Sequence, residues 1–581
     1  MDLAFFFALR PQHSTKEKGD LERSFSSTRT NFLHVCISDR LPFMHNAAQL
    51  IQQIITLTRN SGYLAPDHAM SVAGNILNAQ PLPDAFAALA PALIRHAAIF
   101  DPFDREKIRL AEDVNSRVPH QPFTKWLEQA KPLVDKEPVP ENIPYPNTET
   151  AKASAFVAYM MAQPANNNRF PILLHLWQSG AQKELIRAIR IISGSPSGMI
   201  VAPTLAWGAY SAGETTLAEM LLDEGITNFL AHNLRARLAL DKGKTKAAKE
   251  YLLASLESEP FQPAVIEQLA ELESTAQPLV PGSNTHICLY TWNKPNLLAQ
   301  TMGSLAATDI GDARITILNN GTTECSAEEL ENRVRAEAPY IDVNWVHLPI
   351  NVGAPAARNW LLALPEVQQA KYVAFLDDDV LLPKQWLRRY ITTLDRYGAT
   401  AVGPKCVNQG VRTIQYAFRS FEEVGERKIR FTANAPTLMD MGQFDAARPS
   451  LTVMGCCHLF DMEKINKLGV PSFDIRFSPS QVDDIEHDLQ IWKAGGKVVY
   501  DGGVPIIHLQ DTGKTKSQAA IGQAYANHYK MESKFTLTEL QRMDTTIKDA
   551  DAKNFTTALH SVLPTLSGVA RIFWDTLKML L

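Results

Sequence analysis

Three consecutive carboxylates, Asp377, Asp378 and Asp379, follow the apolar run Val373-Ala-Phe-Leu376. That run reads as a strand buried on both faces, so the acids fall at its carboxyl end. Like charges packed there repel one another, and loss of water raises the cost. A divalent cation relieves it, because hard cations take oxygen ligands. In open α/β sheets, ligands gather beyond the carboxyl ends of the strands. The triplet therefore reads as a metal and phosphate site; the competing reading is a solvated acidic turn ahead of the helix near Pro383. Two further groups could bind a cation or move a proton. His508 directly follows the apolar Val504-Pro-Ile-Ile507, and is otherwise a hydrogen-bonded core histidine. Asp483, Asp484 and Glu486 open a helical pattern that runs to Lys493, and otherwise serve only to cap it.

The elements that must position these groups alternate. Strands are expected at His286–Tyr290, Arg314–Leu318, Val343–Leu348, Ala399–Val402, Leu451–Phe460 and Lys497–Tyr500, besides the acidic one. Helices are expected at Pro295–Leu305, Ser326–Ala336 (opened by a Ser326/Glu329 capping box), Ala354–Leu364 and Lys384–Asp395. Such alternation predicts a mostly parallel sheet with helices on both faces. Between Asn408 and Pro449 the pattern weakens, as in an insert or a lid.

The chain has 581 residues, 45% apolar and 20% charged, which suits two to four globular domains. A net charge of -5 carries no basic footprint for nucleic acid. Six scattered cysteines without a CxxC pair predict reduced thiols in a cytoplasmic protein, with Cys456 and Cys457 buried. Residues 1–43 read as a disordered extension and a poor signal peptide, with Met44 as a candidate natural start. Residues 44–130 and 151–273 read as two helical lobes joined by a proline-rich linker at 131–150. The second lobe repeats weakly: Gly213 to Leu222 aligns with Gly243 to Leu252, in the manner of a tetratricopeptide repeat. It is either a groove for a protein partner or acceptor, or a helical domain packed for its own sake. A Pro/Gly-rich boundary at 274–284 precedes the α/β region at 285–535, and 536–581 reads as a helical tail. The end of that tail, Leu566–Leu581, is amphipathic. It either packs on protein or lies peripherally on the inner membrane face.

Several motifs stand in order along the α/β region: Tyr290-Thr-Trp-Asn293-Lys-Pro, Asn319-Asn320-Gly-Thr322, Asn351-Val-Gly-Ala-Pro-Ala-Ala-Arg358-Asn359, Leu376-Asp-Asp-Asp-Val380, Met454-Gly-Cys-Cys457, and Asp483-Asp-Ile-Glu486 ten residues before Ala494-Gly495. Together they resemble those of an inverting family-2 glycosyltransferase with the GT-A fold. The resemblance covers residues 285 to about 511.

It implies that Asp377 and Asp379 reach a Mn²⁺ or Mg²⁺ ion bridging two phosphates, with His508 a further ligand. It implies Asp484 as the base that deprotonates an acceptor hydroxyl. Asp483 and Glu486 would hold the acceptor or orient that base. Asn293, Asn319, Asn320, Arg358, Asp377 and Asp378 would meet the nucleotide-sugar donor. Arg358 is otherwise a surface salt bridge. Asn319 replaces the usual Asp at the base site, so the charge is lost while hydrogen bonding remains; uridine is the first assignment. The chain lacks the Q-x-x-R-W motif and membrane spans of processive synthases, which implies addition of one sugar at a time to a glycan, lipid-linked or protein acceptor. The segment Asp511–Lys516 is either a loop closing over diphosphate or a solvated loop. The alternative for the whole chain is a non-catalytic GT-A module on a helical scaffold.

Overall fold

In the computed structural model the described residues are 47–78, 84–274, 284–424, 429–432, 438–509 and 518–578. They divide into two compact units, one centred on residues 284–438 and 444–555, the other on 47–272 with 439–443 and 556–578. The expected extension at 1–43, nearly all of the boundary at 274–284 and the loop at 511–516 lie outside the described residues.

The first unit is built on a mixed, mostly parallel sheet. Strands β1 (Thr285–Thr291), β2 (Arg314–Asn320), β3 (Val343–Leu348) and β4 (Tyr372–Leu376) run parallel in the order β3-β2-β1-β4. Then follow β5 (Val380–Leu381), β6 (Ala401–Asn408), β7 (Thr413–Tyr416), β8 (Ala447–Pro449), β9 (Cys457–Asp461) and β10 (Val498–His508). Antiparallel β9 lies between β4 and β6. Strand β10 runs parallel to β6 and antiparallel to β5 and β8, and β7 pairs antiparallel with β6.

The acidic strand is buried on both faces, as its composition demands. Val373 and Phe375 enter one core with Leu318, Phe460 and Leu489, while Ala374 and Leu376 enter the other with Leu289, Trp386 and Leu459. Two expectations need correction. Residues 451–456 are a loop, and only Cys457–Asp461 is a strand there. The segment 408–449 is no detached insert: β7 and β8 extend the sheet, beside a small hairpin of Phe421–Val424 with Ile429–Phe431.

The second unit is all-helical across its described residues from Ala47–Ser61 to Pro263–Ser274. The two expected lobes form one unit, because two buried ion pairs join distant parts of the chain: Arg59 with Glu267 and Arg95 with Glu259. The proline-rich stretch is correspondingly shorter and strapped down. The helix Gln121–Asp135 continues through Pro132, and Gln163 pairs with both backbone groups of Glu141. The helical-hairpin repeat has a third copy. At Gly180, Gly213 and Gly243 the backbone turns left-handed, and the next amide donates to the carbonyl five residues back (Ala181 to Leu176, Glu214 to Ala209, Lys244 to Ala239). The first copy escaped the sequence pattern because Leu185 stands where Ala218 and Ala248 pack.

The tail is divided as well. The helix Leu537–Val562 carries the unit boundary, and Asp551 pairs with Arg448 in the first unit. The helix Gly568–Lys578 belongs to the second, burying Phe573, Trp574 and Leu577, with Trp574 Nε1 donating to the Pro260 carbonyl at 2.9 Å. That helix packs on protein. Among the described residues no helix is long and apolar enough to cross a membrane.

Burial in the helical unit lowers three histidines: His96 to about 4, His232 to about 4 and His120 to about 3. His96 sits among Tyr63, Phe100 and Phe229 and hydrogen-bonds the Leu64 carbonyl. The unfolded chain takes up these protons near pH 6.5, so the stabilisation is complete above that pH and lost as pH falls toward 4. For His96 the shift corresponds to up to about 3 kcal/mol. Urea denaturation should show lower stability at pH 5 than at pH 7, and His96→Gln should flatten the difference; an unchanged slope in the variant would remove His96 as a cause.

Candidate active site

Register brings the chemistry together. Leu376 pairs with Leu289 of β1 and Cys457 of β9, and His508 pairs with Val380 of β5. The ends of β1 and β4, the start of β9 and the end of β10 thus meet around the acids. One oxygen each of Asp377 and Asp379 and one ring nitrogen of His508 lie within 4.8 Å of one another.

The three acids have different surroundings. Asp377 keeps 26% of its side chain exposed, accepts from the Tyr290 hydroxyl at 3.2 Å, and is pushed up to about 6 by burial and the neighbouring Asp379. Asp378 is buried and turned away from the triad. Its oxygens accept from Thr291 Oγ1 at 2.7 Å and Lys294 Nζ at 3.1 Å. Asp379 receives Lys294 Nζ on Oδ2 at 3.0 Å. Burial opposes its ionisation, but positive charge on His508 when that ring is protonated, and on Lys294, holds it below the usual carboxylate range. Its Oδ1 faces His508 Nε2 at 3.2 Å yet has no hydrogen bond. A buried carboxylate oxygen without a donor, beside imidazole and a second carboxylate, is the chemistry of a divalent-cation site.

The second acidic cluster lies across Arg358. The helix Asp483–Lys493 begins after two consecutive non-glycine residues in the left-handed region, Gln481 (φ 82°) and Val482 (φ 72°). Such backbone is rare for β-branched valine and collects at functional sites. Val482 is the N-cap and makes no side-chain cap bond. Asp484 remains partly exposed, accepting from Gly455 N at 3.1 Å and Ile485 N at 2.9 Å. One turn on, Asp488 accepts from Thr452 Oγ1 and Val453 N, so this helix grips residues 452–455 at two points. Gly455 has to be glycine: a Cβ there would come within 2.9 Å of Asp484 and 3.1 Å of Arg358.

Several expected roles meet different surroundings. Arg358 is neither a surface residue nor open to a phosphate. Its guanidinium is buried against Asp483, 4.0 Å from Asp377, and lies over the rings of Tyr290 and Phe473. Asp483, placed on the acceptor, is consumed by that pair; burial raises it against the pull of Arg358. Glu486, also placed on the acceptor, is 1% exposed and held by Lys534 and Gln490. The asparagines are engaged in loop geometry. Asn293 binds Thr323, Asn320 accepts from Val352 N, and Asn319 links Thr322 N to His347, which reaches Glu331. Lys294 and Gln415, which touch Asp379 and His508, had no role in the sequence reading. Lys294 stands inside a quoted motif; Gln415 lies in the segment without periodicity.

Residues 286–469 match the profile described as Glycosyl transferase family 2. This part of the chain is a family-2 glycosyltransferase domain. A stretch of 136 residues is 35% identical to the succinoglycan biosynthesis protein ExoM of Rhizobium meliloti (strain 1021), covering 22% of this chain and 42% of that protein. The match thus spans less than half the length of that relative. Similar solved structures include the mannosyltransferase PcManGT from Pyrobaculum calidifontis in complex with GDP-Man and Mn²⁺ (15% identity, 56% of this chain and 90% of that one, TM-score 0.33). Another is GalNAc-T7 with UDP, GalNAc and Mn²⁺ (14% identity, 50% and 58%, TM-score 0.32). This part of the chain has the mostly parallel sheet that its alternating pattern implied, with acids at the carboxyl ends of the strands.

The Arg358–Asp483 pair is buried on both sides, so removing one partner strands the other charge. Arg358→Met should cost about 3–5 kcal/mol of stability by urea denaturation. Adding Asp483→Asn should recover part of that; a double variant as unstable as the single one would contradict the pairing.

Proposed function

We propose that this chain is a metal-dependent, inverting, non-processive glycosyltransferase that moves one sugar from a nucleotide diphosphate sugar to an acceptor hydroxyl. The observation that carries the reading is the pairing of two sites at the carboxyl end of the acidic strand. Asp377, Asp379 and His508 form a cation-ready triad, and partly exposed Asp484 sits across the buried Arg358–Asp483 bridge.

Asp377, Asp379 and His508 would hold a divalent ion, Mn²⁺ or Mg²⁺, which supplies charge neutralisation for the departing diphosphate. The mixed oxygen and imidazole donors favour Mn²⁺. Asp484 takes the proton from the acceptor hydroxyl as its oxygen bonds to the anomeric carbon. The bond from that carbon to the diphosphate oxygen breaks, and its electron pair leaves with the nucleotide. A single displacement inverts the anomeric centre. The Gly455 and Ile485 amides hold the Asp484 carboxylate in place, and each oxygen keeps a lone pair for the acceptor. Arg358 and Asp483 fix the distance between the two sites without touching substrate. Asn293, Asn319 and Asn320 shape the loops that would receive the base and ribose, for which uridine is our first assignment. The acceptor is a glycan, a lipid-linked sugar or a protein, and the helical unit is the surface we assign to selecting it.

Incubation with a panel of nucleotide sugars, Mn²⁺ and candidate acceptors should release nucleoside diphosphate with one donor. Asp484→Asn should slow release by about 10²–10⁴-fold while donor binding persists. Equal rates in the two proteins would remove Asp484 as the base, and failure to bind any donor would favour a scaffold role. Asp379→Asn should abolish Mn²⁺-dependent donor binding, measured by calorimetry with and without chelator.

A further inference from the structure

We propose that Gln415 is a positioning residue that fixes the tautomer of His508 and so turns its Nε2 lone pair toward the cation site. The inference rests on reading Asp377, Asp379 and His508 as that site. The geometry begins in β7, the strand in the segment where the sequence shows no pattern. It pairs with β6 and points Gln415 at the end of β10, where Gln415 is 3% exposed and His508 4%.

The orientation of the Gln415 amide is set by its neighbours. Its Nε2 donates to Asn408 Oδ1 at 2.6 Å and lies 3.4 Å from the His508 carbonyl; both are acceptors. Asn408 Nδ2 in turn donates to Thr413 Oγ1 at 2.8 Å. Gln415 therefore presents Oε1 to His508 Nδ1, at 2.8 Å. An acceptor there places the proton on Nδ1. In the neutral ring Nε2 is then a lone pair, and it faces Asp379 Oδ1, which has no donor. Two acceptors 3.2 Å apart repel unless a positive charge lies between them. Gln415 thus favours the tautomer that leaves Nε2 without a proton beside Asp379. This is the outer partner that orients a metal-binding imidazole, supplied by an amide rather than a carboxylate.

The test uses the full chain and two substitutions. Gln415→Leu removes the acceptor at similar volume, and Gln415→Glu keeps it. Titration calorimetry with Mn²⁺ alone should show about 10–100-fold weaker binding for Gln415→Leu and near wild-type binding for Gln415→Glu. Imidazole ¹⁵N NMR of the metal-free protein should show His508 protonated on Nδ1 in the wild type, with Nε2–H gaining population in Gln415→Leu. Wild-type affinity in Gln415→Leu, equal losses in both variants, or an Nε2–H tautomer in the wild type would each overturn the inference. Absence of Mn²⁺ binding by the wild type would instead overturn the cation site, while the NMR arm would still decide the tautomer.

Discussion

The interaction on which the site depends is a repulsion. Two carboxylates and an imidazole are driven together beyond the carboxyl end of β4, with Asp379 Oδ1 3.2 Å from a ring nitrogen and no hydrogen-bond donor supplied. The surrounding structure over-determines that contact. Strand β4 is locked between two cores, β5 ties the acidic loop to β10, and Lys294 neutralises part of the charge from the far side. Folding forces these groups close, and a cation is the natural relief. Arg358 does the corresponding work for the second cluster. It sits between Asp377 and Asp483, so the two acidic clusters share one buried positive charge.

Much of the framework was legible because it is written in short-range periodicity. The apolar run ahead of the three acids read as a strand buried on both faces, and Val373 and Ala374 do face opposite cores. The alternation of strands and helices from 285 onward fixed the sheet class for the same reason. Partnerships were less legible, because they join residues far apart in the chain. Arg358 meets Asp483 across 125 residues, and Gln415 meets His508 across 93. Local pattern carries no trace of either. Glu486 looked available beside Asp484, but three positions from Asp483 on a helix it faces Lys534 instead. Gly455 was one small residue among several, and its need for absent volume emerges only with Asp484 and Arg358 packed around it.

The helical unit shows the same division. Two of its hairpins announced themselves through a Gly followed by an Ala, while the third uses Leu185 and became visible through its turn geometry. The final helix is amphipathic in sequence, and its apolar face is covered by protein, with Trp574 bonded to Pro260. The buried Arg59–Glu267 and Arg95–Glu259 pairs make residues far apart in the chain one body.

The central claim is that Asp377, Asp379 and His508 together hold a divalent ion. Anomalous diffraction at the manganese edge, from crystals grown with Mn²⁺ and a nucleotide diphosphate, tests it most directly. The account predicts one strong peak among those three side chains and in contact with the diphosphate. A peak elsewhere with the triad bare, or diphosphate bound away from it, would contradict the account.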